Sequence, residues 1–324
     1  MIKIATLGNI HDEGLKILRE SNYEIVDISD FSIGNLKKCL TEVDAIAIRT
    51  TKLTRDILET CNSLKVVSRH GVGFDNVDLD YLNQNKIALA ITGSSNAMTV
   101  SEHVITMFLN LCKQSKLADQ LVREGNFRER NFMKETLEIY KKNILILGFG
   151  RIGKELAKRC KGFESQIYVC DPYIKSKEIT DLKCIPVSFS KGIKIADFIS
   201  IHLPLNKETE YLFSKKEFIQ MKKNCILVNT SRGGIIKEDD LIWALNNQII
   251  HSAGLDVFEK EPPEINNPLF KIKNLILSPH NAALTSECKK RMGVETCNNI
   301  VNFLEKKPEL NLYNIINKNK LNLS

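Results

Sequence analysis

Short apolar runs alternate with amphipathic stretches from one end of this chain to the other, and that rhythm restricts the fold more than any other feature. The first runs are 2–7, 43–48, 64–67 and 87–91, separated by stretches such as 13–20 and 35–40 whose apolar residues recur at helical spacing. A second series begins at residue 143, with runs at 143–147, 166–170, 198–202, 225–229, 253–257 and 274–277. Runs apolar on both faces belong to buried parallel strands, and the stretches between them read as crossover helices. Between the two series, Thr99-Val100-Ser101-Glu102 has the pattern of a capping box, with Thr99 as N-cap. It predicts a long helix to about residue 124, apolar nearly all round through Val104, Ile105, Met107, Phe108, Leu109 and Leu111, and therefore buried. A further helix is expected from Thr285 to about residue 306.

The simplest architecture is two α/β domains, the second inserted into the first: 1–98, 99–285 and a returning segment 286–324. A length of 324 residues and 43% hydrophobic content supply two cores. No apolar run approaches the roughly 18 residues of a membrane span. The N-terminus is too short and too strand-like for a signal peptide, so the cytoplasm is the expected compartment. The nine cysteines include no C-x-x-C pair, which points to buried reduced thiols, and no His/Cys cluster suggests a metal. The charge is +7, but 35 of the 46 basic residues are lysines scattered along the chain rather than clustered between aromatics. Nucleic-acid binding is therefore not expected, whereas a modest positive surplus suits a small anionic substrate.

The run Asn143–Leu147 is followed at once by Gly148-Phe149-Gly150-Arg151-Ile152-Gly153 and then by a helical stretch, 154–161. A Gly-x-Gly-x-x-Gly motif gains weight in this strand–turn–helix setting. Gly148 permits the tight turn, Gly150 lets the backbone approach a pyrophosphate, and Gly153 allows close helix–sheet packing. The next strand ends in Asp171, 18 residues after Gly153. A carboxylate there accepts hydrogen bonds from both ribose hydroxyls and repels a 2′-phosphate, which favours NAD over NADP.

Three more polar groups follow apolar runs. Arg232 lies in Asn229-Thr230-Ser231-Arg232-Gly233-Gly234 and could hold a carboxylate in bidentate fashion. Glu261 precedes Pro262 and Pro263, and His280 follows Pro279 at another strand end. Taken singly, a loop arginine is more often a surface ion-pair partner, an acidic loop more often solvated, and a lone histidine more often structural. Together they make a coherent alcohol-oxidising set. His280 is a base for the hydroxyl proton, Glu261 holds its tautomer, and Arg232 anchors a carboxylate and polarises a carbonyl. Of the other histidines, His103 reads as structural or interdomain and His202 as at most cofactor-adjacent.

With these blocks in view, residues 40–310 resemble the D-isomer-specific 2-hydroxyacid dehydrogenase family. The blocks include Asp171-Pro172, 202–209, 221–234, Gly254-Leu255-Asp256-Val257-Phe258, Glu261-Pro262-Pro263 and 278–285, in family order. The resemblance implies two doubly wound parallel-sheet α/β domains, a Rossmann NAD-binding domain inserted into a flavodoxin-like substrate domain. It implies that Arg232, Glu261 and His280 are catalytic. NAD contacts are implied at Gly148, Gly150, Arg151, Ile152, Gly153, Asp171, His202, Leu203, Pro204, Thr230, Ser231, Arg232, Asp256, His280, Asn281, Ala282 and Ala283, with Asp256 holding the nicotinamide carboxamide. Family members are usually homodimers through the NAD-binding domain. Residues 69–78 and 48–54 resemble the carboxylate and phosphate segments of the family's phosphoglycerate dehydrogenases, which makes Arg49, Arg69, Gly71, Val72 and Gly73 candidate substrate contacts. Val72 departs from the Thr frequent in that subgroup. Related glycerate, glyoxylate and lactate enzymes carry similar segments, and a non-enzymatic NAD-sensing corepressor shares the fold. Ending at Ser324, the sequence has no room for the C-terminal serine-sensing domain of longer members, so feedback through it is not expected. Glu261 stands where the formate-oxidising branch has Gln.

Overall fold

The structure is a computed structural model that describes residues 1–133 and 135–323. The chain separates into two compact units, Met1–Asn96 with the segment from Ala283 onward, and Ala97–Ala282.

The first unit is built on a five-stranded sheet. Its strands are β1 (Lys3–Leu7), β2 (Glu24–Ile28), β3 (Ala45–Ile48), β4 (Val66–Arg69) and β5 (Ala88–Ile91). They lie in the order β2-β1-β3-β4-β5, and every pairing is parallel. Alternate residues enter separate cores on the two faces. From β3, Ile46 and Ile48 join one core, while Ala45 and Ala47 join the other. On the second face the helices Asp12–Glu20 and Ser286–Leu304 meet where both lack a side chain. A Cβ on Gly14 would lie 2.4 Å from the Gly293 carbonyl oxygen. The Thr285 hydroxyl accepts from the Cys288 amide at 3.2 Å and caps the second of these helices.

The second unit carries seven strands: β6 (Asn143–Leu147), β7 (Gln166–Cys170), β8 (Ile185–Pro186), β9 (Phe198–Ile201), β10 (Ile226–Asn229), β11 (Ser252–Leu255) and β12 (Leu275–Leu277). Their order is β12-β11-β10-β9-β6-β7-β8, again all parallel, with the connections reversing direction between β6 and β9. Leu145 and Leu147 enter one core and Ile144 and Ile146 the other, so β6 is apolar throughout. Each such side chain, fully buried, contributes roughly 1.5–3 kcal/mol. Because all strands run the same way, all their C-terminal ends reach one edge of the sheet, which is where loops of this fold gather ligands.

Two expectations are corrected. Thr99 is not an N-cap, because the helix already begins at Ala97 and Thr99 is buried inside it. Glu102 does not fold back to cap but pairs with Arg159 of the neighbouring helix at 3.5 Å. Nor does this helix reach residue 124. It ends at Lys113, Gln114 turns left-handed at φ 51°, and a separate helix, Ser115–Arg123, buries none of its residues. Only one face of the Ala97–Lys113 helix is buried; Glu102 and Thr106 are exposed.

The sequence pattern also passed over β2 and β8, the latter with both residues exposed. Both are at sheet edges, where a strand covered on one side needs no continuous apolar run. Among the described residues no helix is long and apolar enough to cross a membrane, and no group of three or more His, Cys, Asp or Glu is placed to hold a metal.

Candidate active site

The Gly-rich turn connects β6 to the helix Arg151–Cys160, which begins inside the motif rather than after it. Gly148 has φ +89°, and a Cβ there would lie 2.5 Å from the carbonyl oxygen of His202, at the end of the neighbouring β9. A Cβ on Gly153 would lie 2.3 Å from the Gly148 carbonyl oxygen, so the helix packs against the turn it leaves. Gly150 differs from both: nothing lies within 4 Å of its Cβ position. It is the helix N-cap, and no side chain caps that end. Open space before a helix N-terminus whose N-cap residue has no side chain suits a phosphate.

Asp171 follows β7 and is already oriented by backbone. Its Oδ2 accepts from the Phe149 amide at 2.7 Å and its Oδ1 from the Tyr173 amide at 2.9 Å. Each oxygen retains a lone pair for a sugar hydroxyl. Two buried polar atoms just past the ends of β10 and β9 have no partner among the described residues, Thr230 Oγ1 and His202 Nδ1. Burial pushes His202 down to about 3, so it is neutral at physiological pH, and its Nε2 meets Ser200 Oγ at 2.8 Å. Buried polar atoms rarely stay unpaired in a finished site. The open cradle at Gly150 and these orphaned atoms fit a dinucleotide.

At the end of β10, Asn229 shapes the loop that carries Arg232. Its carboxamide oxygen accepts from the Ser231 amide at 3.0 Å and hydroxyl at 2.8 Å, and its Nδ2 donates to the Arg232 carbonyl at 2.8 Å. Arg232 Nη1 donates to the Ser231 carbonyl at 2.7 Å. Gly233 presses against the loop after β11, where a Cβ would lie 1.9 Å from the Phe258 carbonyl carbon. The Arg232 loop and the Glu261 loop can approach this closely only through a glycine.

Glu261 accepts from the Phe258 amide at 3.1 Å and meets His280 Nδ1 at 2.7 Å. Burial opposes its ionisation, but the hydrogen bond and charge of His280, the Phe258 amide and the Arg232 charge outweigh it. The carboxyl is held below its ordinary value. These bonds, beyond any stiffening by the prolines, are what hold Glu261. An ionised carboxylate can only accept, so His280 carries its hydrogen on Nδ1 and leaves Nε2 free to take a proton. His280 itself is left-handed, at φ 50°.

Asp256, wholly buried after β11, takes the amides of Asn281 at 2.9 Å and Ala282 at 3.0 Å and the hydroxyl of Ser278. It thereby ties down the loop that carries His280. Leu203 and Pro204 continue the chain beyond β9. Ala283 and the candidate substrate residues Arg49, Arg69, Gly71, Val72 and Gly73 belong to the first unit. There Gly71 has φ +137°, and the Arg69 guanidinium occupies the place its Cβ would take. Asn229 and Ser278 are not singled out in the sequence, and His103, read there as structural or interdomain, is not connected to Ser278. Asn229 gives a faint signal, as a polar residue closing an apolar run. His103 gives none, because its partner Ser278 is 175 residues away.

Fold and loops together define a dinucleotide-binding α/β protein with a carboxylate–imidazole pair at its strand ends. Residues 105–282 match the profile of the "D-isomer specific 2-hydroxyacid dehydrogenase, NAD binding domain". The chain is 34% identical over 321 residues to a glyoxylate reductase of Thermococcus litoralis, covering 96% of each. It is 32% identical over 315 residues to a D-3-phosphoglycerate dehydrogenase of Archaeoglobus fulgidus, covering 97% of this chain but 59% of that relative's length. Among solved structures, an NAD-dependent formate dehydrogenase from Staphylococcus aureus in complex with NAD superposes with a TM-score of 0.85 at 28% identity, covering 98% of this chain and 99% of that one. The chain belongs to the D-isomer-specific 2-hydroxyacid dehydrogenase family, and its second unit carries that family's NAD-binding domain.

Proposed function

We propose that the protein interconverts a D-2-hydroxy acid and its 2-oxo acid with NAD. The observation that carries this reading is the 2.7 Å contact between His280 and Glu261, beside a loop that brings the Arg232 charge to bear on the same carboxylate. His280 Nε2 takes the hydroxyl proton, while Glu261 holds the ring by Nδ1 and stabilises the imidazolium that forms. Arg232 binds the substrate carboxylate and polarises the reacting oxygen. Gly148–Gly153, Asp171 and Thr230 would hold NAD, which when bound would supply the hydride acceptor.

The substrate proposed is 3-phospho-D-glycerate, oxidised to 3-phosphohydroxypyruvate at the start of serine synthesis. The phosphoglycerate dehydrogenase from Archaeoglobus supports this choice, as does the charge around residues 49–70. His70 is pushed down to about 4, first by burial and then by the Arg49 charge, with Arg69 adding to it. A positive potential of that kind favours an anionic group. Hydroxypyruvate or glyoxylate reduction is the second reading, favoured by the end-to-end match to the Thermococcus relative.

NADH oxidation by the purified protein, with 3-phosphohydroxypyruvate and hydroxypyruvate side by side, separates them. A large kcat/KM advantage for the phosphorylated acid supports the first reading; the reverse moves the function to the second. NADH binding without turnover of any 2-oxo acid overturns both in favour of an NAD sensor. The same reading includes a homodimer through the NAD-binding unit, where Leu117, Val122, Phe127 and Phe132 are exposed on or just after the helix that buries nothing. Light scattering on the purified protein tests it.

A further inference from the structure

His103 stands outside the Arg232–Glu261–His280 set, on the Ala97–Lys113 helix. Its Nε2 lies 3.0 Å from Ser278 Oγ and 3.8 Å from Asp256 Oδ1. The directions of these bonds follow from donor and acceptor capacity. The Asp256 carboxylate only accepts, so the Ser278 hydroxyl spends its one hydrogen on Asp256. Ser278 Oγ is then left to accept, and the donor facing it is His103 Nε2–H. The hydroxyl cannot turn away, and the His103 hydrogen is assigned to Nε2.

The same carboxylate also grips the main chain, and its Oδ1 is shared between the Ser278 hydroxyl and the Asn281 amide. Oδ1 takes the Asn281 amide and Oδ2 the Ala282 amide, at 2.9 and 3.0 Å. Ser278, Asn281 and Ala282 bracket His280, and the His280 amide donates to the Ser278 carbonyl at 3.1 Å. His280 has φ 50°, a left-handed conformation that a residue with a side chain keeps only when its surroundings hold it. The loop is held at both ends by one buried aspartate, whose own orientation depends on Ser278.

We propose that His103 is a positioning residue for the acid–base step. Through Ser278 it orients Asp256, so that the loop keeps His280 left-handed with Nδ1 on Glu261. His103 touches no reacting atom in this scheme. The catalytic part rests on the function proposed above; the mechanical part does not.

Hydrogen exchange on the full chain reads the mechanical part without substrate. In His103→Ala the Asn281 and Ala282 amides should exchange about tenfold faster than in the wild type, while Leu227 and Val228 in β10 keep their protection. His103→Gln, which places an N–H donor at similar reach, should restore wild-type exchange, and Ser278→Ala should match His103→Ala. In turnover, His103→Ala should lower kcat about tenfold or more with little change in the KM for NADH, and adding it to Ser278→Ala should cost nothing further. Unchanged exchange at Asn281 and Ala282, equal loss of protection in β10, or a Gln variant as impaired as Ala each overturns the proposal. A wild-type protein with no turnover sinks the proposed function instead, and the exchange result stands apart from it.

Discussion

His280 Nδ1 and Glu261 Oε2 lie 2.7 Å apart although they belong to loops after different strands, β12 and β11. The contact decides the tautomer of His280 and helps keep Glu261 ionised. Removing its charge while keeping its shape is the direct test. Glu261→Gln is expected to lower kcat about 10- to 100-fold, and His280→Asn about 10²- to 10⁴-fold, with NADH affinity changed little in the Gln variant. Steady-state kinetics and NADH fluorescence titration measure both.

Arg232 should act on substrate more than on cofactor. Arg232→Ala is expected to reduce kcat/KM by about 10²- to 10³-fold while NADH binding largely survives. Unchanged turnover in that variant contradicts its assigned role.

Gly233 is a place where the two loops have no room for a methyl group. Gly233→Ala puts a Cβ 1.9 Å from the Phe258 carbonyl carbon and 2.0 Å from its oxygen, so the backbone must move. The expected result is a loss of about 1–3 kcal/mol of stability together with a fall in kcat. Gly150→Ala, with open space at that position, should leave Tm nearly unchanged and weaken NADH binding. Thermal melts and cofactor titrations on the two variants separate packing from binding.

Asp171 is expected to set cofactor choice. Asp171→Ala should weaken NADH binding and raise the NADPH/NADH affinity ratio, since it removes both a ribose acceptor and the repulsion of a 2′-phosphate. Equal use of the two cofactors by the wild type contradicts this.

Two histidines withdrawn from water, His70 and His202, predict acid lability. Burial holds His202 at about 3, and burial with Arg49 and Arg69 holds His70 at about 4, against an ordinary 6.5. Both are neutral in the fold, whereas the unfolded chain takes up their protons below 6.5. The stability they provide is full above that pH and is lost as pH falls toward 4 for His70 and 3 for His202. Each contributes a slope of about 1.4 kcal/mol per pH unit in that window. Urea denaturation at pH 7 and pH 5 should show the decline, and His70→Asn and His202→Asn should each flatten it.

Most of the fold is legible in the order of residues, because a strand covered on both faces must be apolar throughout and a crossover helix must be amphipathic. β6 and β10 announce themselves that way, and so does the Gly-rich turn, whose chemistry is local. The edge strands β2 and β8 do not, since half-covered strands tolerate polar residues. Thr99 misled because a four-residue pattern cannot reveal that Glu102 has Arg159 to pair with on another helix. Residue type and place at a strand end were enough to single out Arg232, Glu261 and His280 as candidates. Tertiary structure alone decided that Glu261 meets His280 and that Gly233 is pressed against Phe258. It alone showed that Asp256 clamps the amides of Asn281 and Ala282 with His103 behind Ser278. These are contacts between loops and helices far apart in the chain, and a parallel sheet brings them together by carrying every strand's C-terminus to the same edge.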